Sequence, residues 1–424
     1  MSENAYAPRP LRTAVGDHVG GGTPPRQVPS YWKGDIPWAS VKDFPEQAEV
    51  ITDTQEHISV AGLSASASNL IPAGTPLVCT RMAVGRAAMP SVEMAINQDV
   101  KALFPAAGVS AAYLLKVLQF IQPKAEAQAV GSTVKGIRIQ DYLNISVPLA
   151  DTNAQPLIVA VLSTLDTAIQ ETEAIIAKLK AVKQGLLHDL LTRGIDANGE
   201  LRPPQTEAPH LYKESPLGWI PKEWDIATLE AVSATVTSGS RDWARFYADS
   251  GAVFVRIGNL TREHINFRFD STIYVRPPRN ADGHRTRLEP GDILISITAD
   301  LGIVGVVPDG MGEAYINQHI ALVRPSHGVV NPRFVGHYLA SPAAQTYISM
   351  LNDAGAKAGL NLPTVRGLLT ARPARTEQDL IAERLDEIDH RIQNATTELA
   401  KLRELKAGLM DDLLTGRVRV TPLL

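Results

Sequence analysis

A heptad segment that occurs twice constrains this chain more than any other feature. Its first copy carries Leu162, Leu165, Ile169, Ile176, Leu179, Leu186 and Leu190 in steps of three, four or seven. The second carries Leu385, Ile388, Ile392, Leu399, Leu402, Leu409 and Leu413, each 223 positions later. The steps follow the roughly 3.5-residue period of a coiled-coil seam. Interruptions repeat as well, at Thr172 and Lys183 in one copy and Ala395 and Lys406 in the other. Both copies close alike, on Gly185-Leu-Leu-His-Asp-Leu-Leu-Thr192 and Gly408-Leu-Met-Asp-Asp-Leu-Leu-Thr415. At ~1.5 Å per residue, about 37 residues span roughly 55 Å. A seam apolar along one side stays wet unless something covers it, so the two helices are expected to pair with each other, antiparallel. The candidate helix-interface residues are Leu162, Leu165, Ile169, Leu179 and Leu186 with Leu385, Ile388, Ile392, Leu402 and Leu409.

Details within the segment carry further expectations. Lys183 and Lys406 fall on the seam, where their stems are expected to snorkel toward water. Gly185 and Gly408 each cost a helix about 1 kcal/mol relative to Ala, which points to close approach by another backbone or to a packing need. The paired leucines after Gly185 face more than one side and imply contact with a flanking domain or a partner subunit. Thr152 with Gln155 three residues on is a capping-box pattern, with Pro156 tolerated in the first turn. The second helix opens comparably, at Thr376 with Asp379.

Before each helix lies a mixed α/β segment, and the second retraces the first. Val15, Val19 and Gly22 map to Val232, Val236 and Gly239 at an offset of 217, as do Gly74 and Leu77 to Gly291 and Leu294. Asn97-Gln98 maps to Asn317-Gln318 at 220. A slowly growing offset marks a duplication with loop insertions. Strand-like runs occur at 76–80, 101–104 and 143–149, an amphipathic helix at 111–120, and polar loops at 20–25 and 131–136. The fold class read from this is α+β: two mixed α/β domains separated by two long antiparallel coiled-coil helices, an internal pseudo-twofold duplication. Boundaries fall at 1–151, 152–195, a Pro-rich linker at 196–216, 217–375 and 376–424.

Composition narrows function. A single cysteine, Cys79, rules out a disulfide framework and a Cys-rich metal site, and fits a reducing cytoplasm. The polar start is not that of a signal peptide, and no apolar run suits a membrane span. A formal charge of −4 requires any nucleic-acid surface to be local. Phosphate-loop, dinucleotide-turn, Gly-x-Ser-x-Gly and His-rich metal motifs are missing, so no catalytic or metal-binding residues are assigned. Asn361-Leu-Pro-Thr364 shares only its Asn and one Pro with the Asn-Pro-Pro-aromatic element of adenine methyltransferases.

Binding groups do cluster. Arg241, Arg245, Arg256, Arg262, Arg268, Arg276, Arg279, Arg285 and Arg287 outnumber Asp242, Asp249, Glu263, Asp270 and Asp282, a local excess of four positive charges interleaved with aromatics. Arginine suits bidentate contact with guanine edges and phosphates. The first half offers Lys33, Lys42, Arg81, Arg86 and Lys135. For any one Arg a solvated β-domain face explains its presence better; the cluster as a whole favours nucleic acid. Asn97-Gln98 and Asn317-Gln318 could read adenine, yet their repetition favours a structural role.

Several elements together resemble the specificity subunits of type I restriction-modification systems: Gly22-Thr-Pro with Tyr31-Trp-Lys-Gly-Asp-Ile-Pro-Trp38, Ala95-Ile-Asn-Gln-Asp99, Gly131-Ser-Thr-Val-Lys-Gly136, and the Leu-Leu-His-Asp-Leu-Leu-Thr-Arg-Gly194 ending. The resemblance implies two target-recognition domains, each reading half of a bipartite double-stranded DNA site, with the helices as a ruler. It implies a non-catalytic chain that docks two methyltransferase subunits, which carry S-adenosylmethionine, and recruits motor-nuclease subunits; no cofactor is expected on this chain. Aligning the halves sets Ser40 and Lys42 opposite Ile257 and Asn259. DNA-facing candidates are then Lys33, Ser40, Lys42, Arg81, Arg86, Arg241, Arg245, Arg256, Asn259, Arg276 and Arg279, with Ser132, Thr133, Lys135 and Lys357 on backbone-contacting loops. The competing readings are a coiled-coil adaptor joining two protein-binding domains and an enzyme with a divergent active site.

Overall fold

Short apolar runs stopped by Gly or Pro give the first half its strands: β1 (Pro8–Pro10), β2 (Val15–Gly20), β3 (Ile36–Ala39), β4 (Val50–Ile51), β5 (His57–Ile58), β6 (Asn69–Ile71), β7 (Leu77–Cys79), β8 (Ala87–Pro90), β9 (Met94–Ile96), β10 (Val100–Pro105) and β11 (Ser146–Pro148). They form a sheet in the order β2-β10-β7-β8-β4, a second in the order β5-β3-β9-β6, and the antiparallel pair β1-β11. Helices α1 (Val60–Ser64), α2 (Ala111–Gln128) and α3 (Ile139–Leu143) precede the first long helix, α4 (Gln155–Thr192).

The second half repeats this order with β12 (Tyr212–Ser215), β13 (Gly218–Pro221), β14 (Asp225–Thr228), β15 (Ser233–Ser238), β16 (Tyr247–Ala248), β17 (Ala252–Val255), β18 (Tyr274–Val275), β19 (Ile293–Ser296), β20 (Val304–Val306), β21 (Ala314–Ile316), β22 (Ile320–Pro325) and β23 (Leu369–Arg372). Its helices are α5 (Leu229–Val232), α6 (Ala281–Thr286), α7 (Pro332–Ala340), α8 (Pro342–Asp353), α9 (Leu362–Gly367) and the second long helix, α10 (Arg375–Thr415). Sheets β15-β22-β19-β20 and β16-β18-β17-β21 and the pair β14-β23 answer those of the first half. The hairpin β12-β13 begins inside the Pro-rich stretch taken from sequence as linker.

The computed structural model describes residues 6–44, 49–277, 281–353 and 359–420. It resolves into two units, Met1–Glu173 with Thr397–Leu424, and Ala174–Thr396. This division differs from the sequence boundaries, because each unit keeps half of both long helices. In the first unit Ile158 and Leu162 of α4 share a core with Leu413 and Leu414 of α10. In the second, Leu187, Leu190 and Leu191 of α4 meet Ile381, Ala382 and Leu385 of α10. The start of one helix thus lies beside the end of the other: the pair is antiparallel. Ile169, Ile388 and Ile392 are buried, while Leu165, Leu179, Leu186, Leu402 and Leu409 are half-buried.

Equivalent contacts tie each unit together. Gln155 accepts the N–H of Ser110, the N-cap of α2, at 3.0 Å and donates to Ala150 O. Gln378, 223 residues on, accepts the N–H of Asn331, the N-cap of α7, at 2.8 Å and donates to Pro373 O. Tyr6 lies against Gly416 (φ 75°), where a Cβ would come within 2.7 Å of its ring. Buried Trp224 lies against Gly194 (φ 66°), where a Cβ would stand 2.4 Å from the indole. Both glycines are obligatory on sterics and on φ.

Several sequence expectations are revised. Neither capping box forms: Thr152 Oγ1 donates to Gly108 O, and Asp379 accepts from Arg375 and Asn331. Strand registers pair Val15 with Pro105 and Ser233 with Pro325, so Val15 corresponds to Ser233, not Val232, and Gly21 rather than Gly22 corresponds to Gly239. Both glycines pack so tightly on the carbonyls of the Asn-Gln turn that a Cβ would stand at 1.9 and 2.0 Å. A Cβ at Gly185 or Gly408 would meet nothing within 4 Å, so neither glycine answers a close approach. The seam lysines do not snorkel. Lys183 is buried and lies 2.5 Å from Asp389 Oδ1, and Lys406 pairs with Asp166.

One clamp between helix and sheet domain is ionisable. Arg333 and His337 of α7 both bind Asp386 of α10, with His337 Nε2 2.6 Å from Oδ1. Burial alone would raise the Asp386 carboxyl, but hydrogen bonds from His337 and Arg333 hold it below its ordinary value. A depressed carboxylate stabilises the fold above its unfolded pKa of about 3.9 and loses that contribution as pH falls through its folded value. Asp386→Asn is therefore expected to cost about 3–5 kcal/mol at pH 7 and to flatten acid unfolding below about pH 4. Denaturant titrations at pH 7 and pH 3 check this.

Candidate nucleic-acid interface

The candidate residues sit on loops at the strand ends. In the first unit β3 stops at Ala39, and Ser40 caps a single turn, Val41–Asp43. Asp43 Oδ2 accepts both Ser40 N–H (2.8 Å) and Ser40 Oγ–H (2.9 Å). Ser40 is thereby committed to the turn, and Lys42 is left exposed on it. Half-buried Arg86 reaches back to Phe44 O at 3.5 Å and supports the turn from behind. Lys33 is exposed beside Trp32, whose ring carries Arg26 at 3.7 Å. Arg26 also pairs with Glu56, and Trp38 is anchored by Nε1–H donated to Gly22 O and Ser68 Oγ. The Tyr31–Trp38 motif is a pillar that presents Arg26 and Lys33. Arg26 escaped sequence reasoning because its stacking partners lie six and twelve residues away and no pattern links them.

A second group assembles at the β7–β8 turn. Met82 has φ 63°, and its N–H donates to Lys135 O at 2.9 Å. This joins Arg81, which pairs with Asp99 at 3.3 Å, to the loop carrying exposed Ser132, Thr133 and Lys135. The second unit has Ala299 at φ 58°, 217 residues on, in the matching turn. Non-glycine residues held at positive φ are strained, and strain concentrates at functional sites.

The second unit builds the β3 corner with different side chains. β17 ends at Val255, and Arg256 precedes the turn Ile257–Asn259. Parallel pairings Ala39↔Ile96 and Val255↔Ile316 set Ser40 opposite Arg256 and Asp43 opposite Asn259, one residue away from the sequence alignment. Asn259 is accordingly corrected from DNA reader to turn builder. It is 2% exposed, accepts Arg256 N–H at 2.9 Å and donates to Arg268 O at 3.0 Å, as Asp43 holds Ser40. Arg256 Nε is buried and has no hydrogen-bond partner among the described residues.

The arginine cluster separates into two kinds. Arg262 binds Asp300, Gln345 and Leu301 O; Arg285 binds Thr237 and Ser240; Arg268 donates to Leu260 O. Those three hold the domain. Arg241, Arg245 and Arg276 are exposed. Arg245 lies 4.9 Å over Phe246, beside a stack of Trp243 on Phe254 at 5.4 Å. Arg276 lines an open cleft of 890 Å3 with His284, Arg287, Glu313 and Tyr315. Arg279 and Lys357 lie outside the described residues. The Asn-Gln pairs are structural: Asn97 Oδ1 accepts Asp99 N–H and Asn317 Oδ1 accepts His319 N–H. Asn361 caps α9 by accepting Thr364 N–H at 2.8 Å.

Two units with one scaffold and unlike basic loops, each holding half of an antiparallel helix pair, define an internally duplicated fold. A model of the type I restriction modification DNA specificity domain matches residues 15–181. The MjaVIII specificity subunit of Methanocaldococcus jannaschii is 23% identical over 313 residues, 73% of this chain and 70% of that one. The EcoBI specificity subunit of Escherichia coli is 25% identical over 141 residues, 32% of this chain and 29% of that one. Among solved structures, the type I restriction-modification S subunit from M. genitalium superposes with a TM-score of 0.64 at 15% identity, covering 98% of this chain and 97% of that one. A structure from work on complex assembly and conformational transition of the type I system gives 0.53 at 16%, covering 98% of both. Over most of its length the chain is thus similar to specificity subunits of type I restriction-modification systems, in sequence and in fold.

Exposed cations and turn builders are expected to behave differently. Lys42→Ala and Arg245→Ala should each weaken duplex binding across sequences and reduce the salt slope by about one. Asn259→Ala should leave that slope unchanged and cost about 1–3 kcal/mol of stability through unmade buried hydrogen bonds. Salt-dependent binding isotherms and denaturant melts separate the two.

Proposed function

We propose that each unit reads one half of a bipartite double-stranded DNA site and that the paired helices set the unread spacer between the halves. The observation that supports this reading most is the corner after β3 and β17. There a common strand and turn carry Lys42 in one unit and Arg256 in the other, and the second unit also exposes Arg241, Arg245 and Arg276. A repeated scaffold with unlike donors suits two unlike half-sites. Phosphate contacts position such a reader and base contacts specify its sequence, so the exposed cations supply the first function and the turns bring the second within reach of a groove.

The chain performs this recognition without chemistry of its own. Two methyltransferase subunits dock on the helices and bring S-adenosylmethionine; motor-nuclease subunits join the same assembly in the cytoplasm. Among the described residues no helix is long and apolar enough to cross a membrane. An adaptor joining two protein-binding domains has no use for exposed arginine above aromatic rings, and it predicts no salt-dependent retention of DNA.

Inserting four residues into each long helix, after Glu173 and after Thr396, tests the ruler. The insertion adds about 6 Å, close to two base pairs at ~3.4 Å each. Sites methylated by the reconstituted complex are expected to gain about one or two base pairs of spacer, with both half-sites unchanged. An unchanged spacer contradicts the reading.

A further inference from the structure

We propose that the ion pairs Lys183–Asp389 and Lys406–Asp166, rather than the apolar seam, select the axial register and the antiparallel direction of the two long helices. The proposal deepens the reading above, since the register then fixes the one spacer that the chain accepts.

An apolar seam cannot choose a register by itself. Its residues recur every heptad, so sliding one helix by seven positions again sets leucine or isoleucine on leucine or isoleucine. The charged positions break that degeneracy. Lys183 is 8% exposed and Asp389 1%, in contact at 2.5 Å, and Lys183 Nζ also donates to Glu263 O at 2.5 Å. Asp166, 8% exposed, takes Lys406 and, at 2.5 Å, the buried Lys116. The pairs are images of one another in the duplication, because Asp389 is Asp166 and Lys406 is Lys183 shifted by 223.

The two pairs satisfy one and the same antiparallel alignment. A slide of one heptad in either direction sets Asp389 against Ile176 or Leu190, and Asp166 against Leu399 or Leu413. Each slide therefore strands buried carboxylates on apolar neighbours, the arrangement proteins tolerate least. Parallel pairing of the copies in register sets Lys183 against Lys406 and Asp166 against Asp389, like charge on like. Asp389 Oδ2 is buried with no hydrogen-bond partner among the described residues. A half-satisfied carboxylate is a poor device for stability alone and a good one for specifying alignment.

Replacing both pairs, Lys183→Met with Asp389→Leu and Lys406→Met with Asp166→Leu, gives an apolar helix pair that separates alignment from stability. Spin labels on cysteines at the exposed positions Lys180 and Glu387 report the register, and buried Cys79 stays in place. The unsubstituted chain is expected to give one interlabel distance. The apolar pair should stay helical and folded but show a second distance, displaced by up to about 10 Å for a one-heptad slip. In complex with methyltransferase subunits it should methylate sites of more than one spacer length. The exchange Lys183→Asp with Asp389→Lys should restore the single distance and single spacer that Lys183→Asp alone loses. A single, unmoved distance in the apolar pair overturns the proposal, as does failure of the exchange to rescue if the apolar pair does not fold. If the unsubstituted complex methylates no bipartite site, the functional reading fails while the label distances still decide the register.

Discussion

The two amphipathic helices of this chain cover each other's apolar sides, and they run in opposite directions, the start of each beside the end of the other. That pairing is the constraint from which the rest of the architecture follows. Each unit completes its core with the beginning of one helix and the end of the other, Ile158 and Leu162 with Leu413 and Leu414 in the first, and Leu187, Leu190 and Leu191 with Ile381 and Leu385 in the second. The first unit is assembled from two stretches of sequence, Met1–Glu173 and Thr397–Leu424, and the second from one, Ala174–Thr396. A change in either helix is felt in both units, because the same α-helical rise runs through them without interruption.

The duplication fixes scaffold contacts and frees the loops. Gln155 and Gln378 hold the caps of the neighbouring helices, and Gly416 and Gly194 make room for Tyr6 and Trp224. The Asn-Gln turns bend the backbone identically in both units through Asn97 and Asn317. Against that frame Ser40 stands where the other unit has Arg256, and strained Met82 where it has Ala299. The proposed reading of two different half-sites needs this separation, because a loop can change its side chains without disturbing a core it does not enter.

Much of this was legible in the residues before any coordinates. The heptads, their offset of 223 and the repeated Asn-Gln turn gave the helix pair and the two-domain plan, because hydrophobic period is set by local geometry. What escaped depends on tertiary partners. The snorkelling expected of Lys183 and Lys406 gave way to ion pairing, since an acid on the opposite helix, invisible to a single-helix pattern, faces each lysine. A one-residue slip placed Asn259 among the DNA readers, because alignment through divergent loops lacks the strand register that pairs it with Asp43. Nor could charge counting tell Arg262 and Arg285, spent on their own domain, from Arg241 and Arg245, which face solvent.

Mapping methylated adenines in a genome that carries this chain and no other of its kind tests the proposed reading most directly. The account predicts a single motif of two short, dissimilar segments separated by a gap of constant length and indifferent sequence. A continuous motif, or two segments at variable separation, would contradict it.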